Sequence, residues 1–196
     1  MFVRKAALRP VPSYATVEDR WVQTMEQSLD DDEARLQEAL DRGFRDLDAR
    51  QPAVAQFVSN LLAEIDDELA QAVGYFLAVT VFLAFREAFP TRLEVASEDD
   101  VAMAEATLDA DEELRIDDPD EALETDDIVA MGQPAVVAFV QHHVEQALEQ
   151  GGDEVDVAAI EKAYRGVLVE IVTLSHAVMA PEGISSATRS SCEAPI

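Results

Sequence analysis

Only one cysteine, Cys192, occurs in the 196 residues, so no disulfide can form within one chain and a reducing, cytoplasmic location is expected. Glycine is scarce, at seven, and no glycine-rich phosphate-cradling loop is present. There are three histidines, His142, His143 and His176. No Glu-x-x-His occurs, which removes the ligand pattern of carboxylate-bridged di-iron bundles, and zinc would need more Cys or His at suitable spacing. No metal and no cofactor are therefore expected. Nucleophilic catalysis lacks its signatures, because there is no Gly-x-Ser-x-Gly and no histidine lies near Cys192 in the chain.

Long apolar runs are missing too. The longest, Ala72 to Phe85, has 14 residues, whereas a bilayer needs about 20. It reads as a buried core helix. At the start, Ala6-Ala7-Leu8 is cut off by Arg9-Pro10, so no signal-peptide apolar region is expected. Basic residues are few: 14 Lys and Arg face 41 Asp and Glu, a formal charge of −27. Such a field repels nucleic-acid phosphates and anionic lipid, and it favours cationic partners or simple solvation at high salt. The excess is uneven. Residues 91–132 hold 16 acids against Arg92 and Arg115, while residues 1–50 hold 11 acids against eight bases.

Hydrophobic residues make up 48% of the chain, enough for a sizeable core in one domain. The strongest pattern is an internal echo. Gln51-Pro52-Ala53-Val54-Ala55-Gln56-Phe57-Val58 returns as Gln133-Pro134-Ala135-Val136-Val137-Ala138-Phe139-Val140, with six of eight positions identical. Proline is well suited to the first turn of a helix, so each octet predicts a helix start. A more apolar helix follows each, with Tyr75 and Tyr164 early in it. The fold class is all-α: a helical bundle built on duplication of a helical hairpin. Phe57 and Phe139 would then be equivalent core anchors.

The expected boundaries follow. Residues 1–16 form an extended or disordered arm and 17–180 a single domain. Within it lie repeat 1 at about 51–90, an acidic insertion at 91–132 and repeat 2 at about 133–180; 181–196 is a disordered tail rich in serine. A long helix over 17–49 carries Trp21, Met25 and Leu29 at steps of four, with a break or kink at Asp30-Asp31-Asp32-Glu33. Further helices are predicted from 52, over 67–89, over 119–131, from 134 to Gly151-Gly152, and over 156–179. In the acidic segment Ser97 starts a helix with Val101, Ala104 and Leu108 on one face. Leu93-Glu94-Val95 and Leu114-Arg115-Ile116 alternate and predict a minimal two-stranded ribbon.

Candidate chemistry is thin. Asp109, Asp111 and Glu113, with Asp120 at position twelve, faintly resemble a calcium loop, but Leu114 stands where glycine is needed. Glu170 lies in an apolar run. It is either buried with a raised pKa, or it faces outward or pairs with Arg165 or His176.

The leading expectation is a non-enzymatic interaction or adaptor module that binds a basic protein surface. Its acidic face would comprise Asp109, Asp111, Glu112, Glu113, Asp117, Asp118 and Asp120. A homodimer through Trp21, Met25 and the N-terminal helix is a variant. The alternative from another class is a small-molecule- or metal-dependent helical enzyme with a pocket between the hairpins, near Tyr75, Tyr164, Glu170 and His176. A DNA mimic that blocks a DNA-binding protein is a third. Nucleic acid and membrane are not expected as partners.

Overall fold

A computed structural model describes residues 10–29, 32–117, 125–152 and 155–181. Among them the chain forms eight α-helices and no strand. After a 3-10 turn at Ser13–Ala15 come α1 (Asp19–Ser28), α2 (Glu33–Arg50), α3 (Pro52–Ala63) and α4 (Glu68–Ala88). The second series is α5 (Glu98–Asp117), α6 (Thr125–Gly132), α7 (Pro134–Gly151) and α8 (Val157–Ala177).

Local chemistry sets most boundaries. Pro52 and Pro134 each open a helix, as their missing N–H and fixed φ favour. Asp67 and Asp156 cap α4 and α8, accepting from the backbone N–H of Ala70 at 2.7 Å and Ala159 at 3.1 Å. At the start of α5, Ser97 and Asp100 form a reciprocal capping box. Gly152 has φ +58°, in the left-handed region where a side chain is strained, and α7 stops there.

The long helix expected over 17–49 is two helices. Leu29 turns extended at the end of α1, and Asp32 caps α2 by accepting from the Arg35 N–H at 3.2 Å. The acid run therefore starts a helix instead of continuing one. The two-stranded ribbon does not form. Residues 114–116 lie within α5, and Leu93 makes an isolated antiparallel bridge with Val178. The helix continues through its acid run because Arg165 of α8 pairs with Asp109 and Glu112, a contact that neighbouring residues cannot announce. Of the helix expected over 119–131, the structure describes α6; residues 118–124 lie outside the described residues.

The core centres on α4 and α8, which make the most extensive helix pair. Leu77 to Phe85 and Gly166 to Ser175 are continuously buried. The two helices run side by side in one direction. Near their N-terminal ends a Cβ on Gly74 would lie 3.1 Å from that of Ala163, a close approach of the two helices. Near their C-terminal ends the Leu93–Val178 bridge joins the two exits. Helix α4 is long and apolar enough to cross a membrane by length and composition, but it is mostly buried in the bundle.

Three packing expectations change. Residues 10–16, expected as an extended or disordered arm, are partly docked: Ala15 is fully buried and Val17 is buried beside it. Met25 is also buried, because α1 packs against α4 and α7, which removes it from the apolar patch expected for a homodimer; Trp21 is half-buried. Phe139 is buried as expected, whereas Phe57 is only half-buried.

Candidate functional site

Of the four pocket candidates, Tyr75 sits on the outer side of α4. Its hydroxyl donates to Asp41 Oδ1 at 3.2 Å and its ring lies 5.5 Å from Phe44. Burial, then the hydrogen bond to Asp41, pushes its pKa up to about 12. It lines a shallow groove with Leu62, Ala63, Glu68, Gln71 and Ala72. Tyr164 is half-buried against the main core. It stands 12 residues before His176 on α8, about 18 Å along the axis at 1.5 Å per residue.

His176 lines a small cavity between α5 and α8, of about 60 Å³, with Asp100, Met103, Ala104, Thr107, Val172 and Thr173. Two hydrogen bonds from Ser97 hold the Asp100 carboxyl below its usual range, with a smaller contribution from the nearby His176 charge and slight burial acting against them. Glu170 is 1% exposed, and neither carboxylate oxygen has a hydrogen-bond partner among the described residues. The pairing with Arg165 is not made, since that guanidinium turns to α5. Burial alone raises the Glu170 pKa well above the glutamate range. Its position two residues from Val172 and three from Thr173 does not bring it into the cavity lining. Among the described residues, Tyr75 and His176 line different cavities, and neither cavity includes Tyr164 or Glu170.

The acidic candidates also divide. Asp109 is exposed but ion-paired with Arg165, and Glu112 accepts from Arg165 Nε at 3.1 Å. Asp111, Glu113 and Asp117 belong to α5, but their side chains lie outside the described residues, as do Asp118 and Asp120 altogether. His143 Nδ1 is 2.9 Å from the Phe139 carbonyl oxygen, and its ring stacks near Phe76 and Phe139. His142 is exposed. No group of three metal-ligating side chains gathers among the described residues.

The polar residues that organise the fold were missed in the sequence as such: Gln51 and Gln133. Both are buried, at 1% and 0% exposure, immediately before α3 and α7. Gln51 Nε2 donates to the Glu94 carbonyl at 2.7 Å, and the Ala96 N–H donates to Gln51 Oε1 at 2.8 Å. Gln133 Nε2 donates to the Ala15 carbonyl at 2.7 Å, and the Val17 N–H donates to Gln133 Oε1 at 2.9 Å. Each amide satisfies a carbonyl and the N–H two residues on, in the segment that leads into α5 or α1. Their backbones match as well, at φ −136°, ψ 62° and φ −133°, ψ 56°. Gln133 Nε2 also donates to Ser175 Oγ at 2.8 Å. The signal that could have found them is the glutamine that opens each repeated octet.

Comparison with protein-family models, curated proteins and solved structures gives no match.

Proposed function

We propose that the chain is a duplicated helical module whose second copy has become a docking face for a basic protein surface. Support for duplication extends beyond the octets. Helices α4 and α8 both have 21 residues, and Tyr75 and Tyr164 both stand at the eighth. The glutamine clamps cross over: Gln51 holds the lead-in of α5, and Gln133 holds the lead-in of α1. On this reading α5 and α6 are the counterparts of α1 and α2, not an insertion between copies.

The observation that carries the function is charge divergence at equivalent positions. Residues 19–50 hold ten acids against five bases, and residues 98–132 hold fifteen against one. Solvation is served by charge anywhere on the surface and gives no reason for its concentration in one copy. One copy of a shared scaffold turning acidic is what a cation-binding face requires. On α5, Met103 stands 64% exposed, with exposed Glu98, Asp99 and Asp100 on the preceding turns. An adaptable thioether among carboxylates suits an amphipathic basic helix that offers one apolar anchor and flanking Lys or Arg. The compartment proposed is the cytoplasm.

A titration of the intact protein with a lysine-rich amphipathic peptide tests this. Binding should weaken steeply between about 0.1 M and about 1 M salt, where the Debye length falls from about 10 Å to about 3 Å. Met103→Gln should lower affinity at both salts, and a sequence-scrambled peptide of equal charge should bind less tightly. Equal binding of both peptides would reduce the face to unspecific charge attraction and defeat the proposal.

A further inference from the structure

Glu170 is the one ionisable side chain among the fully buried described residues. It lies mid-way along α8, between Val169 and Ile171, in the most extensively packed helix pair of the bundle. Both of its oxygens lack hydrogen-bond partners among the described residues. Water solvates a carboxylate far better than an apolar interior does, so an ionised carboxyl there is expelled unless a partner is supplied.

Among the described side chains the surrounding elements supply none; that of Arg115 on α5 lies outside them. Helices α3, α4, α5, α6 and α7 all pack against α8. Helix α3 carries no ionisable residue. On α4, Tyr75 is bonded to Asp41 and Arg86 to Asp46 and Glu87. On α5, Glu105 is half-buried, and Asp109 and Glu112 are taken by Arg165. On α7, His143 faces the Phe139 carbonyl and Phe76, while the acids of α6 have side chains outside the described residues. On α8 itself, Arg165 is turned to α5, and His176 lines the α5–α8 cavity. None of these shifts the Glu170 carboxyl; burial is the sole cause of its displacement.

We propose that Glu170 is a proton-operated latch: the bundle closes around the neutral carboxyl, and loss of its proton loosens the packing of α8. A carboxyl that holds its proton in the folded state and not in the unfolded one favours folding at low pH. That stability is fully present below the unfolded value, near the usual glutamate 4.5, and declines as pH rises until the folded titration point is passed. In this interval each pH unit changes the folding equilibrium constant by about tenfold through Glu170 alone.

The test compares urea unfolding of the intact protein with that of Glu170→Gln and Glu170→Leu from about pH 5 to about pH 9. The exposed residue Glu161→Gln serves as the control for removing one charge from an acidic protein. The gain of each Glu170 variant over the parent should widen by about tenfold in equilibrium constant per pH unit until the folded titration point is passed, and then level off, while the Glu161 variant runs parallel to the parent. Hydrogen exchange of α8 amides around 167–174 should quicken with pH in the parent and less so in Glu170→Gln. A carbon-13 titration of the parent decides the matter even if both variants fail to fold: the Glu170 carboxyl signal should stay that of a neutral acid to a pH well above the usual glutamate value, where exposed glutamates have already ionised. A Glu170 signal that titrates together with those of the exposed glutamates, or parallel stability curves for parent and Glu170→Gln, would overturn the proposal.

Discussion

Replacing Gln133 with alanine removes an amide that is fully buried and makes three hydrogen bonds. Two of its partners, the Val17 N–H and the Ala15 carbonyl, are main-chain groups in the segment ahead of α1. Ala15 and Val17 are at 0% and 1% exposure, so water does not reach the segment without movement. A buried main-chain group left without a partner costs about 1–3 kcal/mol. Two such groups give about 2–6 kcal/mol, with a cavity from the lost side chain adding to it. Ser175 suffers least, because its hydroxyl keeps its bond to the Ile171 carbonyl at 2.6 Å. The expected loss, about 3–5 kcal/mol, is a large share of the 5–15 kcal/mol that typically holds a domain together. Urea unfolding measures it, and hydrogen exchange at the Val17 amide locates it. The double change with Ser175→Ala should be non-additive by about 0.5–1.5 kcal/mol, since the two side chains share a bond. A loss under about 1 kcal/mol, with Val17 still protected, would show that the segment is held by apolar packing and that the clamp is incidental.

Phe139→Ala should cost about 3–5 kcal/mol and Phe57→Ala clearly less, since only the first ring is fully enclosed; equal losses in thermal or urea unfolding would contradict the burial difference. Arg165→Met should quicken hydrogen exchange in the C-terminal half of α5, with global stability falling by no more than about 1 kcal/mol, because the guanidinium is 31% exposed and its pairs are screened. Asp46 is partly desolvated, but hydrogen bonds from Arg86 and Arg50 outweigh this and hold its carboxyl below the aspartate value; Asp100 is likewise held down by Ser97. Depressed carboxyls contribute stability that is present above the unfolded value near 3.8 and lost as pH falls through the folded one. Asp46→Asn should therefore flatten the acid limb of the stability curve, and an unchanged limb would show that the two arginines do not favour its charged form.

What the sequence made legible is the chemistry carried by near neighbours. Pro52, Pro134 and Gly152 fix helix ends within a residue or two, and the acid run before α2 was recognisable as a break. The all-helical class, the central position of α4 and the apolar face Val101, Ala104 and Leu108 of α5 also followed from periodicity. What stayed hidden depends on residues far apart in the chain. Helix α5 passes through its acid run because a cation on α8 meets it, 53 residues beyond Glu112. Gln133 reaches back 118 residues to Ala15. The candidate pocket failed for a geometric reason. Tyr164, Glu170 and His176 share one helix, but rise and rotation send them to different heights and sides. For Glu170 the apolar run raised burial as one alternative, but facing outward or pairing with Arg165 or His176 stayed open, because the sequence does not say which side of α8 is covered.

The proposed docking of a basic partner on the α5 face is tested most directly by capture from native lysate, with the intact protein as bait at about 0.1 M and about 1 M salt. The parent and Met103→Gln should be run side by side. The account predicts a basic protein retained by the parent at low salt, released at high salt, and recovered poorly by Met103→Gln. Retention that ignores salt, or that is equal for both baits, would contradict an acidic face anchored at Met103. So would the absence of any basic protein at low salt.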